Sequence, residues 1–485
     1  MRASDHAGLI AASHGASPLD RTGSTVKRGL LFPTEGRLTT TAPPKTAPLR
    51  IAIAGLGTVG AGVIRLLDTN AALIAARAGR PIEVVAVAAR DRGKDRGVDI
   101  ARFAWEDDMT ALARRDDVDV VVELVGGSDG PALALSRAAL SAGKGLVTAN
   151  KAMIAHHGLA LAEAAEAARV PLRFEAAVAG GIPVIKGLRE GAAANALDRV
   201  QGILNGTCNF ILSTMEDTGR DFADVLAEAQ AKGFAEADPT LDVEGIDAGH
   251  KLAILAAIAF GARLDLPHVS CEGITRVRAA DIARAGDLGF VIRLVGEADV
   301  ERGANGQQRL LQRVRPCLVP REHPLAHVDG PTNAVVAEGN YSGRLLFQGA
   351  GAGDGPTASA VVADLIDIAR QSQGQGEAGS AFSVPVGALV AMAPADAGER
   401  RSHTYIRFTV ADRPGVLAEI TAAMRDAEVS IESLIQQGRD EEGGEVLVAM
   451  VTHEGPERCV AEALRLLDGS PSLTAPPLVM PILAA

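Results

Sequence analysis

The sequence predicts an α/β protein whose first folded part is a parallel, doubly wound sheet with helices on both faces. Short apolar strands alternate with helical segments from residue 49 onward. These strands are apolar on both of their faces, which is typical of a sheet buried on both sides. A glycine-rich turn follows the first strand. The chain has 485 residues, which is enough for about three domains.

The elements of this first part alternate in βαβ order. The strands are predicted at 50–54, 82–88, 118–124 and 145–148. One helix is predicted from the glycine-rich turn through about Ala78, and another at 131–142. We expect the domain to span residues 49–184 and to be completed by a later segment, about 335–371.

Three further parts follow along the chain. Residues 185–334 mix strands with strong helices, such as those predicted at 222–232 and 245–260, and we expect a separate α+β domain there. Residues 372–402 are rich in Gly, Ser, Gln and Pro and are predicted to be a linker. Residues 403–485 begin with a cleanly alternating strand and are predicted to form a small independent β/α domain.

The N-terminal segment differs from the rest of the chain. Residues 1–48 are basic, rich in Ser, Thr, Gly and Pro, and show no sustained strand or helix period. We expect a disordered extension, or a start assigned too far upstream. A transit peptide is the alternative, although no convincing amphipathic stretch supports it.

The composition excludes several classes of protein. The chain has 48 Lys and Arg against 60 Asp and Glu, so its net charge of −12 gives no overall attraction to nucleic acid or anionic lipid. No apolar run is long enough to span a membrane, which takes about 18 residues. The 4 cysteines show no metal-binding spacing, and we expect them to be reduced and buried in a cytoplasmic protein without nucleic-acid or membrane partners.

The turn after the first strand fits the dinucleotide-binding pattern G-x-G-x-x-G of a Rossmann-type domain. The first glycine permits the tight turn, the second lets a pyrophosphate approach the backbone, and the third lets helix and strand pack closely. The helix N-terminus offers free N–H groups to the diphosphate. The predicted cofactor-binding residues of this turn are Gly55, Gly57, Thr58, Val59 and Gly60. An ordinary glycine-rich turn is the alternative.

The end of the second strand favours NADP over NAD. NAD-binding domains usually place an acidic residue there to bind the ribose hydroxyls, whereas this strand ends at Ala88 and is followed by Arg90, with Lys94 nearby. These cations suit a 2′-phosphate. Asp91 beside Arg90 weakens the argument, so NAD stays possible, and Arg90 could be an ordinary surface charge.

A second glycine-rich segment, GAGAGDG at 349–355, precedes a helix predicted at Pro356–Arg370. Proline is favoured in the first turn of a helix. We expect either a second helix terminus that faces the cofactor, with Gly353 in contact with it, or an ordinary loop before a helix.

Several further motifs resemble the homoserine dehydrogenase family over about residues 49–371. They are ELVGG (123–127), VTANKA (147–152), FEAAVAGGIPVIKGL (174–188), GILNGTCNFIL (202–212), AQAKGFAEADPTLDVEGIDAGHKLAILAAIAFG (229–261), NAVVAEG (333–339) and GAGAGDGPTASAVVADL (349–365). The resemblance implies NAD(P)-dependent interconversion of L-homoserine and L-aspartate 4-semialdehyde, a step toward threonine and methionine. With only 48 residues upstream, we expect a monofunctional enzyme.

The resemblance also implies catalytic residues. Lys251 would donate and accept the proton, Asp247 would position its ammonium group, and Lys151 would lie near both nicotinamide and substrate, as a second catalytic and cofactor-binding lysine. The spacing agrees in part, because Asp247 and Lys251 are four residues apart on a predicted helix and share one face. Without the family, the same pair would be an ordinary surface ion pair and Lys151 a loop lysine.

Substrate ligands are implied in the same motifs. Glu236 and Asp242 would bind the α-ammonium group of homoserine, while the backbone and hydroxyl of Asn205, Gly206 and Thr207 would bind its carboxylate. In isolation, the acidic residues would indicate only a solvated turn before a proline. Cys208 is expected to be a packing residue.

A monovalent cation, Na⁺ or K⁺, is also implied by the resemblance. By position its ligands would be Glu175, Val178, Gly180 and Ile182, mainly through backbone carbonyl oxygens. Oxygen ligands suit a hard cation. A tight glycine turn is the alternative.

The C-terminal domain resembles an ACT domain, a ferredoxin-like βαββαβ module that senses amino acids. Its D-R-P-G turn ends at Gly415, before a predicted helix at 416–426 whose N-terminus could receive an effector carboxylate. The resemblance implies feedback inhibition, with threonine as the expected effector, and a homodimer or homotetramer. A purely dimerising module is the alternative.

Two other functions remain open on the sequence. One is a related Rossmann dehydrogenase for another amino acid, such as an aspartate dehydrogenase, but this would leave the block at 174–261 unexplained. The other is a non-catalytic NADP-binding sensor, which the presence of every implied catalytic and substrate residue disfavours.

Overall fold

The computed structural model describes residues 47–303, 306–372, 379–437 and 445–484. Most of the predicted N-terminal extension, residues 1–46, lies outside the described residues, as does part of the predicted linker, 373–378.

The first domain is a six-stranded parallel sheet, as predicted. Its strands are β1 (Leu49–Ala54), β2 (Ile82–Ala88), β3 (Ala104–Trp105), β4 (Val120–Glu123), β5 (Gly145–Thr148) and β6 (Leu172–Arg173), in the order β3-β2-β1-β4-β5-β6. Its helices are α1 (Thr58–Thr69), α2 (Ala71–Ala78), α3 (Pro131–Ser141) and α4 (Lys151–Ala168). The strand order reverses at β1, so a crevice opens beyond the carboxyl ends of β1 and β4, where such sheets bind ligands.

The first helix predicted from the sequence is two helices in the structure. The segment expected to be continuous through about Ala78 breaks at Asn70, and α1 and α2 are bent by 85° to each other. The hydrophobic period alone does not reveal the break, because both halves keep an apolar face toward the same core.

The second domain is built on a mixed, mostly antiparallel sheet, in the order β12-β11-β7-β9-β10-β13 with β8 beside β10. Its elements in chain order are α5 (Val184–Lys186), β7 (Leu197–Ile203), α6 (Gly206–Thr218), α7 (Phe222–Ala231), α8 (Thr240–Val243), α9 (Ile246–Phe260), β8 (Ser270–Cys271), α10 (Ala279–Asp287), β9 (Phe290–Arg302), β10 (Gln308–Pro320), β11 (Thr332–Gly339) and β12 (Gly343–Ala350), followed by α11 (Asp354–Gln371). Helix α9 is apolar and buried against this sheet.

The chain returns to the first domain later than predicted. Strands β11 and β12, which occupy the first part of the segment expected to complete that domain from about residue 335, belong to the second sheet because β11 pairs with β7. Only α11 returns, and it packs against α1 so closely that a Cβ on Gly62 would lie 1.8 Å from Asp354 Oδ1.

The described part of the predicted linker packs against the folded domains. Phe382 is buried, with its ring 5.7 Å from that of Phe174. Strand β13 (Ala393–Pro394) pairs with β10, and β14 (Arg401–Ser402) follows. The polar composition of this segment conceals a few apolar side chains that hold residues 379–402 against the folded domains.

The C-terminal domain has the predicted βαββαβ arrangement. Its elements are β15 (Thr404–Ala411), α12 (Val416–Asp426), β16 (Ile431–Gln437), β17 (Glu445–Thr452), β18 (Gly455–Pro456), α13 (Glu457–Leu466) and β19 (Leu473–Pro481). The four long strands form one antiparallel sheet in the order β16-β17-β15-β19, whereas the short β18 pairs with β14.

Two other expectations concern membranes and cysteines. Among the described helices, none by itself is long and apolar enough to cross a bilayer; only α1 and α2 together reach that length and composition. The four cysteines are free, as expected, but only Cys208 and Cys317 are buried. Cys271 is exposed because it lies on the short strand β8, which is exposed at both of its residues.

Candidate functional site

The glycine-rich turn between β1 and α1 has the geometry of a diphosphate cradle. Gly55 has a φ of 95°, and a Cβ there would lie 2.5 Å from the carbonyl oxygen of Leu124. A Cβ on Gly60 would lie 2.1 Å from the Gly55 carbonyl oxygen. A Cβ on Gly57 would instead meet no atom within 4 Å, so the turn opens onto free space at the start of α1. A ligand phosphate fits this space and the N–H groups beside it.

The end of β2 lies beside this turn, since the Gly55 N–H donates to the Ala88 carbonyl oxygen at 2.9 Å. Arg90 and Lys94 follow and are exposed. Arg96, which sequence reasoning missed, donates to the carbonyl oxygens of Leu56 at 3.0 Å and Lys94 at 2.6 Å. It thereby ties the arginine-rich loop to the glycine-rich turn, a contact that no sequence motif indicates.

The second glycine-rich segment carries a negative charge at the start of its helix. Helix α11 begins at Asp354, two residues before the predicted start, with Gly353 at φ 113° preceding it. The Asp354 carboxylate forms an ion pair with Arg65 of α1 and so places a negative charge in the first turn of α11. A cofactor phosphate at this terminus would face that carboxylate together with its partner Arg65, and a contact between Gly353 and the cofactor stays a prediction.

Two lysines from different domains converge on one carboxylate. Lys251 Nζ lies 2.7 Å from Asp247 Oδ2, and Lys151 Nζ lies 2.9 Å from Asp247 Oδ1. Lys251 also donates to the carbonyl oxygen of Leu204 at 2.7 Å. Lys251 and Asp247 are buried, whereas the Lys151 side chain is 42% exposed. Of the two ammonium groups that contact Asp247, that of Lys151 is accessible to solvent and that of Lys251 is buried.

Local sequence explains these positions. Helix α9 follows Gly245, which has a φ of 78°, and Asp247 lies in its first turn, one turn before Lys251. Helix α4 begins at Lys151, directly after Asn150, whose side chain accepts a hydrogen bond from the Met153 N–H. The contact between the two helices brings the lysines together.

Electrostatic interactions keep Asp247 and Lys151 charged. Burial alone would raise the pKa of Asp247, but Lys251 and Lys151 outweigh it and hold that pKa below its usual range. Burial alone would lower the pKa of Lys151, but the attraction of Asp247 outweighs it and raises that pKa. At neutral pH the carboxylate is therefore ionised and Lys151 carries its proton.

Asn205 joins the predicted substrate residues to the lysines. Its side-chain amide donates to Asp242 Oδ1 at 2.7 Å and to Asp247 Oδ2 at 3.0 Å, while its Oδ1 accepts from the Cys208 N–H at the start of α6. Burial raises the pKa of Asp242. Thr207 Oγ1 donates to the Phe234 carbonyl oxygen at 2.7 Å, which holds the loop that follows α7.

Glu236 lies at the rim of the cluster rather than within it. Its side chain is exposed, and its backbone carbonyl accepts a hydrogen bond from Gln230. Its charge nevertheless contributes to the raised pKa of Lys151. Gly206 is closely packed, because a Cβ there would lie 2.7 Å from the carbonyl oxygen of Pro331.

Two positioning groups escaped sequence reasoning. Asn333 donates to the same Leu204 carbonyl as Lys251, at 3.0 Å, and its side chain lies where a Cβ on Gly351 would collide with it. The buried Glu123 accepts from the Thr148 hydroxyl at 2.6 Å and from the Val125 N–H at 2.7 Å, which fixes the strand ends below Lys151. Both lie within recognised motifs, but nothing in their spacing reveals these contacts.

The loop of the predicted cation ligands turns sharply and packs on the second glycine-rich segment. Ala179 and Gly180 both have positive φ, at 55° and 53°, and a Cβ on Gly180 would lie 2.5 Å from the carbonyl oxygen of Gly351. The Glu175 carboxylate accepts from the N–H groups of Ile185 and Lys186, each at 2.9 Å. Burial first, and then Asp364, raise the pKa of Glu175 to about 7.

The turn before α12 is open at the position where an effector was expected. Gly415 has a φ of 97° and precedes α12, and a Cβ there would meet no atom within 4 Å. This turn belongs to the C-terminal domain, whereas Lys151 and Lys251 belong to the first and second domains.

Comparison with known proteins agrees with this arrangement. The family models described as "Homoserine dehydrogenase, NAD binding domain", "Homoserine dehydrogenase" and "ACT domain" match residues 55–175, 183–366 and 404–465. A homoserine dehydrogenase of Mycobacterium tuberculosis is 44% identical over 433 residues, which is 88% of this chain and 96% of that protein.

Two solved structures are also similar. A homoserine dehydrogenase from Thiobacillus denitrificans has a TM-score of 0.83 at 40% identity, covering 90% of this chain and 98% of that one. A hyperthermophilic archaeal homoserine dehydrogenase in complex with NADPH has a TM-score of 0.56 at 25% identity, covering 68% and 99%. These matches confirm the predicted fold and resemblance, and the chain belongs to the homoserine dehydrogenase family, with a C-terminal ACT domain.

Proposed function

We propose that the lysine pair held by Asp247 carries out the proton transfer in the NADP(H)-dependent interconversion of L-homoserine and L-aspartate 4-semialdehyde. The activity is that of the family, an oxidoreductase acting on a CH–OH group. The observation that carries the proposal is the convergence of Lys151 and Lys251 on the two oxygens of one carboxylate, at 2.9 and 2.7 Å.

The proton chemistry follows from this geometry. When bound, the nicotinamide cofactor supplies or accepts the hydride. As the aldehyde carbon gains hydride, its oxygen gains negative charge and needs a proton and a nearby cation. Lys251 gives the proton to this oxygen, and in the opposite direction it takes the hydroxyl proton. Lys151 remains charged beside it and stabilises the oxygen.

The polar groups around the lysines suit the rest of the substrate. Asp242 and Glu236 bind the α-ammonium group, with Asp242 fixed by Asn205 at 2.7 Å. The N-terminus of α6, which begins at Gly206, and the Thr207 hydroxyl bind the α-carboxylate. Glu236 lies on an exposed loop, and we propose that it completes the site when substrate binds.

The cofactor proposed is NADP rather than NAD. Thr58 and Val59 offer their N–H groups to the diphosphate in the first turn of α1. Arg90 and Lys94 would bind the 2′-phosphate, while Arg96 holds their loop against Leu56. Gly353, directly before α11, would contact the cofactor from the second glycine-rich segment. The archaeal relative in complex with NADPH supports this choice.

A monovalent cation, Na⁺ or K⁺, fits the loop at residues 175–182 in part. Among the described residues, no backbone N–H donates to the carbonyl oxygens of Val178 and Gly180, which leaves both oxygens to a cation. The Ile182 carbonyl oxygen already accepts from the Val184 N–H at 2.7 Å, and the Glu175 carbonyl oxygen accepts from the Val178 N–H at 3.4 Å. The Glu175 carboxylate caps the following turn, so these two residues fit the cation less well than Val178 and Gly180 do. The cation would brace this loop against Gly351.

The ACT domain is proposed to bind threonine at the turn ending in Gly415 and to inhibit the enzyme, as end-product control of the pathway would require. The helix α12 N–H groups face open space there and suit an amino-acid carboxylate. We also propose a homo-oligomer, dimer or tetramer, in the cytoplasm. The solvent-facing strand β12 leaves one sheet edge without a partner strand among the described residues.

One assay tests this function. Consumption of NADPH would be followed with aspartate semialdehyde, then with NADH in its place and with added threonine. We expect turnover with NADPH, a lower kcat/KM with NADH, and inhibition by threonine. No oxidation of NADPH or NADH in the presence of the semialdehyde would refute the activity, whereas a rate insensitive to threonine would refute only the proposed effector.

A further inference from the structure

The sheet of the ACT domain has a second face that its own helices do not cover. Along β15, Ile406 and Phe408 pack toward α12 and α13, so Tyr405 and Arg407 lie on the opposite face. This opposite face packs against α10, where the Tyr405 hydroxyl donates to Asp281 Oδ1 at 3.0 Å.

This packing leaves a cavity of about 280 Å³ between the sheet and the first turns of α10. One wall is apolar, with Ile435, Leu447 and Ala449. The other wall carries the polar groups of Arg407 and Arg284. A cavity of this size and character suits a small molecule that is charged at one end and aliphatic at the other.

Arg407 is the unusual residue of this cavity. It is only 4% exposed, yet Nε and Nη1 have no hydrogen-bond partner in the described part of the chain. Its Nη2 donates to the Arg276 carbonyl oxygen at 3.1 Å, and its Nε lies 3.4 Å from Asp281 Oδ1 without forming a hydrogen bond. A buried guanidinium with unused donors is costly unless an anion satisfies it.

The charged side chains around the cavity favour an anionic ligand over a cationic one. Among the described residues that line the cavity, Asp281 is the one that is acidic, and its oxygens already accept hydrogen bonds from the Arg278 N–H at 2.9 Å and the Tyr405 hydroxyl. Arg284 has an ion-pair partner in the exposed Asp287, at 2.6 Å, and faces the cavity as a second cation. The described part of the lining thus has more hydrogen-bond donors than acceptors.

From this geometry we infer that the cavity between the ACT sheet and α10 binds a small aliphatic carboxylate. Arg407 and Arg284 hold the carboxylate, and the side chains of Ile435 and Leu447 hold the aliphatic part. The site is separate from the lysine cluster and from the turn ending in Gly415. It therefore does not depend on threonine being the effector of that turn.

Calorimetric titration of the full chain tests this site. The probes are L-valine and 2-methylpropanoate, which share a branched chain and a carboxylate but differ in the ammonium group, and inorganic phosphate as a purely anionic probe. We expect saturable binding of at least one carboxylate, with one site per chain. Binding should weaken at least about tenfold in Arg407→Gln, which loses the charge-assisted hydrogen bonds.

Two other variants separate the site from folding and from surface charge. Leu447→Trp fills the cavity from its apolar wall and keeps both arginines, so it should also weaken binding at least about tenfold. Arg425→Gln, the same change on the exposed side of α12, should bind as the unaltered chain does. Basal turnover and thermal unfolding check that each variant folds; if Arg407→Gln does not fold, Leu447→Trp decides alone.

Three results would overturn the inference. The first is the absence of saturable carboxylate binding to the unaltered chain. The second is unchanged binding in Leu447→Trp, which would place the ligand elsewhere, including at the Gly415 turn. The third is binding of phosphate without either carboxylate, which would make the cavity an inorganic anion site. If only L-valine binds, the ligand is an amino acid; if both carboxylates bind, the carboxylate and the branched chain suffice.

Discussion

Lys151 of the nucleotide-binding domain reaches across the domain boundary to Asp247 of the second domain, at 2.9 Å. The same carboxylate holds Lys251 with its other oxygen, at 2.7 Å. One buried charge thus sets the relative positions of two ammonium groups that arise from different domains. The proton-transfer chemistry depends on how well this carboxylate keeps them in place.

Asp247→Asn should damage catalysis more than binding. The amide keeps the shape but removes the charge that holds both lysines, so the ammonium groups would repel each other and lose their alignment. We expect kcat to fall by at least about 100-fold, the low end of the range for general acid–base catalysis. NADPH affinity, measured by fluorescence titration, should stay within about twofold, because α1 and the loop at Arg90 are untouched. An equal loss in kcat and in NADPH affinity would contradict a positioning role for Asp247.

The pH dependence of kcat/KM for homoserine should report Asp242. Its carboxylate must be ionised to bind the substrate ammonium group, and burial raises its pKa. As the pH falls, the Asp242 carboxylate should therefore become protonated at a pH above about 3.9, the ordinary pKa of an aspartate. The acid limb of the kcat/KM profile should lie above the same value.

Asp242→Asn checks this assignment. The variant should lose most of its kcat/KM and also lose this acid limb, whereas Asp238→Asn, on the same loop but exposed, should keep the original profile. A limb that persists unchanged in Asp242→Asn would show that another group titrates.

Arg90 should determine the cofactor preference. Arg90→Ala removes a cation beside the expected 2′-phosphate, and we expect the ratio of NADPH to NADH efficiency to fall about tenfold, the loss expected for one charge-assisted contact. Arg77→Ala, on α2, gives the matched control and should leave the ratio unchanged. An unchanged ratio in Arg90→Ala would remove that residue from cofactor recognition.

A buried ion-pair network joins the ACT domain to the catalytic sheet. Glu457, at the start of α13, binds Arg313 Nη1 at 3.0 Å, and Arg313 Nε in turn binds Glu297 Oε2 at 2.9 Å. Glu297 Oε1 accepts from Gln201 on β7 at 3.2 Å. Strand β7 leads directly to Leu204, whose carbonyl oxygen binds Lys251.

Glu457→Gln should therefore weaken the effect of threonine on turnover. We expect the coupling free energy between effector and substrate to fall by about 0.5–2 kcal/mol, with basal kcat near that of the unaltered chain. Glu462→Gln lies on the exposed side of the same helix and serves as the control. Threonine dose–response curves at fixed substrate measure the change, and identical curves for the two variants would exclude this path.

The sequence predicts the parts of the site that lie within one chain segment, but not the contacts between distant segments. The glycine-rich turn after β1 and the pairing of Asp247 with Lys251 follow from spacing along one chain segment, and both were predictable. The contact from Lys151 to Asp247 depends on how two domains pack, and that from Asn333 to Leu204 depends on the pairing of β11 with β7 in one sheet. A helical or strand period contains no information about such distant contacts.

The errors in the fold have a similar origin. The break at Asn70 leaves the apolar period intact on both sides, and the polar composition of 379–402 conceals buried Phe382. Strands β11 and β12 lie in the segment expected to complete the first domain, but they belong to the second sheet. The sequence of a short apolar strand does not show which of two sheets it joins. The ligands of the cation loop came from family resemblance alone, since backbone carbonyl ligands impose little on residue type.

The most direct test of the catalytic account is single-turnover hydride transfer in Lys251→Ala with NADPH and aspartate semialdehyde. We expect a rate lower by at least about 100-fold with NADPH affinity retained, while Lys232→Ala, which changes an exposed lysine at the end of α7, should transfer hydride normally. A Lys251→Ala enzyme that transfers hydride at a near-normal rate would show that the buried ammonium group takes no part in the reaction.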